Sequence, residues 1–275
     1  MWIVNSVIDK LFEVIFLPFR SLSPWVGMIL ISLLTGFLML LIYRHTSNQA
    51  GIRAVKDKIK AHLLEIRLYK DNMSVSLRAE GNIVLANFRY IGYALKPLLV
   101  MIVPVLLILI QLNFWFAYKS LEPGETAILK VTLDPGKNPP DYDATISPSP
   151  AFEVETPALR IDEDNTINWR LRVKEKGVHS IQLTLGALTV SKDIAVGQKP
   201  LSRLSPLRVK RNVFEELLYP TEKPLPGGTP VKSIEVTYPS KSLSLFGWHI
   251  HWLIVFFALS IILGFAFKGV FKVEI

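Results

Sequence analysis

The residues equipped for chemistry are few and far apart. The five histidines are His45, His62, His179, His249 and His251, and there is no cysteine. Without cysteine the chain has no disulfides, no zinc-thiolate sites and no cysteine nucleophile. His249 and His251 are two residues apart, so on a helix they point to different faces, which argues against paired metal ligation. Trp248 and Trp252 flank them, and that setting suits a membrane–water interface. The run Asp162-Glu163-Asp164 lacks the alternating ligands and the glycine of a calcium loop and reads as a solvated turn. There is no phosphate-binding loop, dinucleotide fingerprint, zinc motif or serine-nucleophile elbow. The sequence therefore predicts no enzyme, no metal and no cofactor, because no nucleophile is accompanied by a base. What remains are polar groups inside apolar stretches: Ser32, Thr35, Gln111, Asn113 and Ser260, with Arg44 at the edge of one stretch. Such groups either bond to neighbouring helices, at about 0.6 kcal/mol each, or line a water-filled groove.

The elements that carry them are hydrophobic blocks long enough to cross a bilayer, which takes about 20 apolar residues for a core of about 30 Å. Three blocks qualify: 24–43, ending at Arg44; 97–117, between Lys96 and Lys119; and 248–267, stopping at Lys268. Pro104 interrupts the middle of the second and predicts a kink. The net charge of +8 is unevenly spread. Segment 44–96 holds ten basic and four acidic residues and so supplies most of it. A short basic loop beside spans stays cytoplasmic. The expected topology is a protein of the cell (inner) membrane with the N-terminus outside. Segment 118–247 is then external or periplasmic, and the 268–275 tail, with Lys268 and Lys272, is cytoplasmic. Residues 1–23 place Ile3, Val7, Ile8, Leu11, Val14 and Ile15 at helical spacing, opposite Asp9, Lys10 and Glu13. That pattern predicts a helix lying in the interface. The rival, a cleaved signal peptide, is disfavoured by Asp9 and Glu13 within its apolar region.

Within the loop, Ile52, Val55, Ile59, His62, Ile66 and Tyr69 alternate at spacings of three and four, a coiled-coil-like stripe three heptads long. A second helix from about Val75 to Tyr93 carries Leu77, Ile83, Val84, Phe88 and Ile91 on one side, and the two form a basic helical hairpin. Its charges either fix topology alone or meet ribosomal RNA, anionic lipid or an acidic partner. From Thr126 the period switches to two. Strands are expected at 126–133, 143–146, 152–161, 166–174, 178–185, 188–196 and 231–238. The fold class is thus a three-span α-helical membrane protein with an external antiparallel β-sandwich-like domain at 118–200, immunoglobulin-like in shape. A Pro-rich connection with a returning strand follows at 201–247, in which Val213–Leu218 is helical.

This order of parts resembles the YidC/Oxa/Alb insertase superfamily. The likeness is closest to its minimal three-span members, the archaeal YidC-like proteins and the insertase subunit of the endoplasmic-reticulum membrane protein complex. It is carried by LSPWVGMILISLLTGFLMLLIYRHTSNQ (22–49), LKPLLVMIVPVLLILI (95–110) and LFGWHIHWLIVFFALSIILGFAFKGVFKV (245–273), about half the chain with the hairpin. The resemblance implies insertion of hydrophobic client segments through a polar intramembrane groove, without a cofactor. Arg44, Gln111, Asn113, Ser32 and Thr35 are then the groove candidates. Two features depart from the pattern: the nearest cation, Arg44, sits at the end of its span, and the external domain is large and β-rich. Both admit the alternative of a structural or accessory subunit of a membrane complex, docking an external partner through the β domain.

Overall fold

The computed structural model describes residues 2–245, 247–271 and 273, with side chains from Asn5 onward. Lys272 and the side chain of Ile3, both used above, lie outside the described set. In chain order the elements are α1 (Trp2–Phe16), α2 (Pro24–Thr46), α3 (Gln49–Leu68) and α4 (Met73–Phe116), followed by the strands. These are β1 (Thr126–Leu133), β2 (Ala144–Ile146), β3 (Phe152–Val154), β4 (Leu159–Ile161), β5 (Thr166–Val173), β6 (Gly177–Leu185), β7 (Leu188–Val196) and β8 (Leu207–Val209). Then come α5 (Val213–Leu218), β9 (Val231–Val236), β10 (Leu243–Leu245), β11 (Trp248–Ile250) and α6 (Trp252–Phe267). The chain divides into two compact units, a β-rich one built from 1–27 and 109–252 and a helical one from 28–108 and 253–275.

In the β-rich unit, one antiparallel sheet runs β3-β5-β1-β9-β8, with β4 also on β5, and a second runs β2-β6-β7. Alternation fixes the register, because a slip of one residue would turn every inward side chain outward. Leu129 faces Trp169 across β1 and β5, and Val131 lies between Ile167 and Ile234. All five are buried, and they join Ile181, Leu183, Val190 and Ile194 of the other sheet in one core. The expected strand 152–161 is two strands, both on β5, because Pro157 in its middle cannot donate to a ladder. Two features were not expected: β8, inside the Pro-rich connection, and the β10–β11 hairpin.

In the helical unit, Asn48 caps α3 by accepting a bond from the Gly51 amide at 2.9 Å, which satisfies one of the free donors of the first turn. α3 and α4 are antiparallel across the turn at 69–72. A Cβ on Gly51 would stand 2.9 Å from both the Tyr93 ring and the Asn48 amide, so a larger residue there would have to displace the cap or the ring. Ile52 and Val55 are buried as the stripe requires, while Ile59, His62 and Ile66 are half-buried and Tyr69 is exposed. On α4 Ala79 and Ala86 are buried and Ile83 between them is half-buried, while Leu77, Val84, Phe88 and Ile91 are exposed. The expected face is therefore corrected: of its five residues only Ile83 lies on the packed side, which two alanines share.

Two helices, α2 and α4, are long and apolar enough to cross a membrane. α4 runs unbroken through Pro97 and Pro104 for 44 residues, a length of about 66 Å at 1.5 Å per residue. The expected boundary at residue 96 is thus absent: hairpin helix and apolar helix are one element. The third apolar helix begins at Trp252 and has 16 residues, about 24 Å. Residues 248–250 pair instead with 243–245 around Gly247, whose φ of 88° suits a tight turn.

Candidate functional site

The helical unit holds a cavity of about 530 Å³ between α2, α4 and α6. Thr35, Met39 and Tyr43 line it from α2, Met101 and Val105 from α4, and Phe256, Ser260 and Ile261 from α6. Its wall is hydrocarbon apart from hydroxyls and backbone. α2 and α6 approach through Gly36 and Gly264, where a Cβ on Gly36 would lie 3.4 Å from the Ser260 carbonyl. The hydroxyls of Thr35 and Ser260 are buried with no hydrogen-bond partner among the described residues, and Ser32 on α2 shares that condition. An unbonded hydroxyl in an apolar setting is costly, and both oxygens are turned away from the cavity's accessible surface, which is left apolar.

The other groove candidates are elsewhere. Arg44 is exposed in the last turn of α2, in the helical unit. Gln111 and Asn113 belong to the β-rich unit, where Asn113 is half-buried. Gln111 is buried and donates from Nε2 to Asp9 Oδ1 at 2.7 Å. Asp9 also pairs with Arg203 at 2.7 Å, with side chains only 11% and 21% exposed. This cluster brings Asp9, on the polar side of α1, against the protein and leaves uncovered the apolar side that is expected to lie in the interface. Its packed face is Asn5, Asp9, Phe12 and Phe16, and its exposed face is Val7, Leu11 and Val14. Phe16 sits 4.7 Å from Trp115, ring centre to ring centre, and Asn5 donates to the Glu216 carbonyl of α5 at 2.6 Å. Asp9 is tolerated inside because a cation and an amide meet it.

A second polar network lies under the connection 201–230. Lys192, 1% exposed, pairs with Glu222 and donates to the Ser205 carbonyl at 2.6 Å and its hydroxyl at 3.3 Å. Thr221 donates to the Ser205 hydroxyl at 2.8 Å. Burial pulls the Lys192 ammonium below the usual lysine range, and Glu222 opposes that shift. A serine beside a lysine is the outline of a nucleophile and base, but Glu222 bonds both. The network holds the connection against β7, with help from Arg208 on the Ser191 hydroxyl at 3.0 Å and Lys210 on Asp134 at 2.5 Å. Sequence reasoning passed over Lys192, although its place between Val190 and Ile194 in a period of two marks it as inward. Asp9 and Arg203 carry no such signal, since their pairing depends on residues 194 positions apart.

The histidines serve local bonds: His45 Nδ1 to the Leu41 carbonyl at 2.8 Å, His62 to Glu65 at 2.9 Å, and His179 to the Glu175 carbonyl at 3.0 Å. His249 lies in β11 beside the Ser242 hydroxyl at 3.2 Å, and His251 stacks on Trp252. Asp162, Glu163 and Asp164 form an exposed turn between β4 and β5. Among the described residues no group of three carboxylates or imidazoles is placed to hold a metal. No protein-family model, no curated protein and no solved structure matches this chain.

Proposed function

We propose that the chain is a bilayer-embedded holder of hydrophobic segments, of the insertase or membrane-chaperone type that the resemblance to the YidC/Oxa/Alb superfamily implies. In this reading α2, the apolar part of α4 and α6 are three spans. The basic α3–α4 hairpin faces the cytoplasm, where anionic lipid or an acidic partner meets it, and a β-sandwich stands outside. The observation that supports it is the cavity between α2, α4 and α6. Inside lipid an apolar slot offers a client no hydrophobic gain, because lipid tails are equally apolar. Association there comes chiefly from close packing at small residues, and the slot supplies Gly36 and Gly264. The mechanism differs from the polar groove expected at first: the slot is apolar and receives a helix by packing alone. No cofactor enters.

A second reading, a structural subunit of a membrane complex, is favoured by Gln111, whose amide is taken up inside the protein by Asp9 rather than facing a client. Insertion of a single-span client into proteoliposomes separates the two. Ile102→Trp and Ile261→Trp fill the slot from partly exposed lining positions and leave the buried core intact. Wild type should insert the client above empty liposomes, and the filled variants several-fold less at matched folded yield. Wild-type insertion no greater than that of empty liposomes would remove the insertase reading in favour of the scaffold.

A further inference from the structure

We propose that the β-rich unit carries a phosphate-binding pocket between the start of α2 and the segment leaving α4, occupied in the membrane by a phospholipid headgroup. The pocket measures about 280 Å³ and is lined by Pro24, Lys119, Ser120, Lys199, Ser202 and Lys241, among others. At about 30 Å³ per water it holds roughly nine waters, enough room for a phosphodiester and its glycerol. Three lysines against one carboxylate, Glu122, make it cationic. Among the described residues none of the three lysines is paired with an acid.

Lys241 is the least ordinary of them. Its ammonium donates to the Pro200 carbonyl at 2.5 Å and to the Trp115 carbonyl at 3.4 Å, which caps the last turn of α4. An ammonium has three N–H donors, so one has no hydrogen-bond acceptor, with the Phe116 ring 5.7 Å away as its other neighbour. Burial without a countercharge pulls its pKa down to about 8, the signature of a cation lacking its anion. Ser120 accepts from the Gln198 amide at 3.1 Å, so its own hydrogen is available to a ligand. α2 begins at Pro24, and the partial positive charge of a helix N-terminus adds to the field there. Several cations, a hydroxyl donor and a helix start around one cavity form a phosphate cradle.

The lipid source rests on the membrane reading, in which the start of α2 and the end of α4 lie at headgroup depth. The phosphate chemistry does not. Native mass spectrometry of the full chain in a neutral detergent, titrated with dioctanoyl phosphatidylglycerol, tests both. Dioctanoylglycerol, which lacks the phosphate, serves as control and inorganic phosphate as competitor. Lys199→Gln removes an exposed lining charge that no fold contact uses, and should weaken the phospholipid about threefold. Lys241→Met should weaken it about tenfold or more, since a charge-assisted bond is lost. Affinity for this diester, which does not titrate near neutrality, should fall from pH 7 to pH 9.5 as Lys241 loses its proton. The other titratable groups lining the pocket are Tyr118, Lys119, Glu122 and Lys199, and all four are kept in the comparison with Lys241→Met. Lys241→Met should abolish that slope. Competition by inorganic phosphate at equal affinity upholds the phosphate pocket and assigns it to a soluble ester. Equal binding of dioctanoylglycerol, or phospholipid binding unchanged in Lys199→Gln and independent of pH, overturns the proposal, even where Lys241→Met fails to fold.

Discussion

Lys192 and Lys241 are two buried cations under opposite conditions, and each sets a measurable expectation. Lys192 has Glu222 and Ser205 around it and almost no contact with water. Glu222→Ala leaves that charge buried and alone, so unfolding should become easier by about 3–5 kcal/mol. The double change Lys192→Met/Glu222→Leu should recover most of the loss, because a fitting apolar pair costs little where an ion pair stood. Thermal unfolding of the three proteins in one detergent checks this, and a double variant as weak as the single one would contradict it. Lys241 has no countercharge, and its folded pKa is about 8 against an ordinary 10.5. Below pH 8 both folded and unfolded chains hold the proton and the burial penalty is fully present. Between about 8 and 10.5 the unfolded chain binds more protons than the fold, so stability rises with pH. Tyr238 acts in the other direction: burial raises its phenol above the usual 10, so its contribution is intact below pH 10 and lost above it. Unfolding followed from pH 7.5 to 10 should therefore show a rise that Lys241→Met abolishes.

At the scale of elements, the strands were readable and the packed faces of the helices were not. β1, β5, β6, β7 and β9 alternate buried and exposed residues, and a period of two names the inner face because only one side of each sheet is covered. Helix periodicity shows that a face exists but does not say which face is buried when both carry apolar residues. On α1 the apolar stripe Val7, Leu11 and Val14 is left uncovered, as the interfacial reading expects, and only the burial of Asp9 had no signal, because Arg203 and Gln111 meet it from far along the chain. On α4 most of the large apolar side chains of the hairpin are exposed and two alanines are buried. The start of α6 was misread for a related reason: Trp248 to Ile250 are apolar enough for a span, yet a glycine turn pairs them into a hairpin. For the site, Thr35 was named in advance and lines the cavity, while Gln111 and Arg44 answer to other neighbours. The hairpin faces are open to test. Ile52→Ala removes a fully buried side chain and should cost about 2–4 kcal/mol, exposing the segment 49–96 to protease. Phe88→Ala, at a position 68% exposed, should change stability by about 0.5 kcal/mol or less. Equal protease sensitivity in both variants would mean that the two helices do not pack as described.

At the scale of the whole molecule one helix sets the expected topology. α4 is about 66 Å long and a bilayer core about 30 Å, so a spanning α4 must project into water by about half its length. Its uncharged part, after Lys96, ends at Phe116, and its charged part bears Arg78, Glu80, Arg89 and Lys96. Burying those four charges in lipid costs about 2.5–3.5 kcal/mol each at the centre, so in the proposed membrane reading the first half of α4 is the half in water. In that reading the +6 charge of segment 44–96 assigns this half to the cytoplasm, and the strands after Phe116 are expected outside. The cysteine-free chain permits a direct reading by single-cysteine labelling in intact cells. Asn72 and Asn165 are poor places for the probe. Asn72 accepts the Val75 amide at the start of α4, and Asn165 holds a φ of 52° that a cysteine adopts only with strain. Their neighbours Asp71 and Glu163 are exposed and free of those duties. An impermeant maleimide should label Glu163→Cys in intact cells and Asp71→Cys only after the membrane is opened. The reverse pattern would place the basic hairpin outside, where the positive-inside rule forbids it. Labelling of both in intact cells would mean that α4 does not cross the membrane at all.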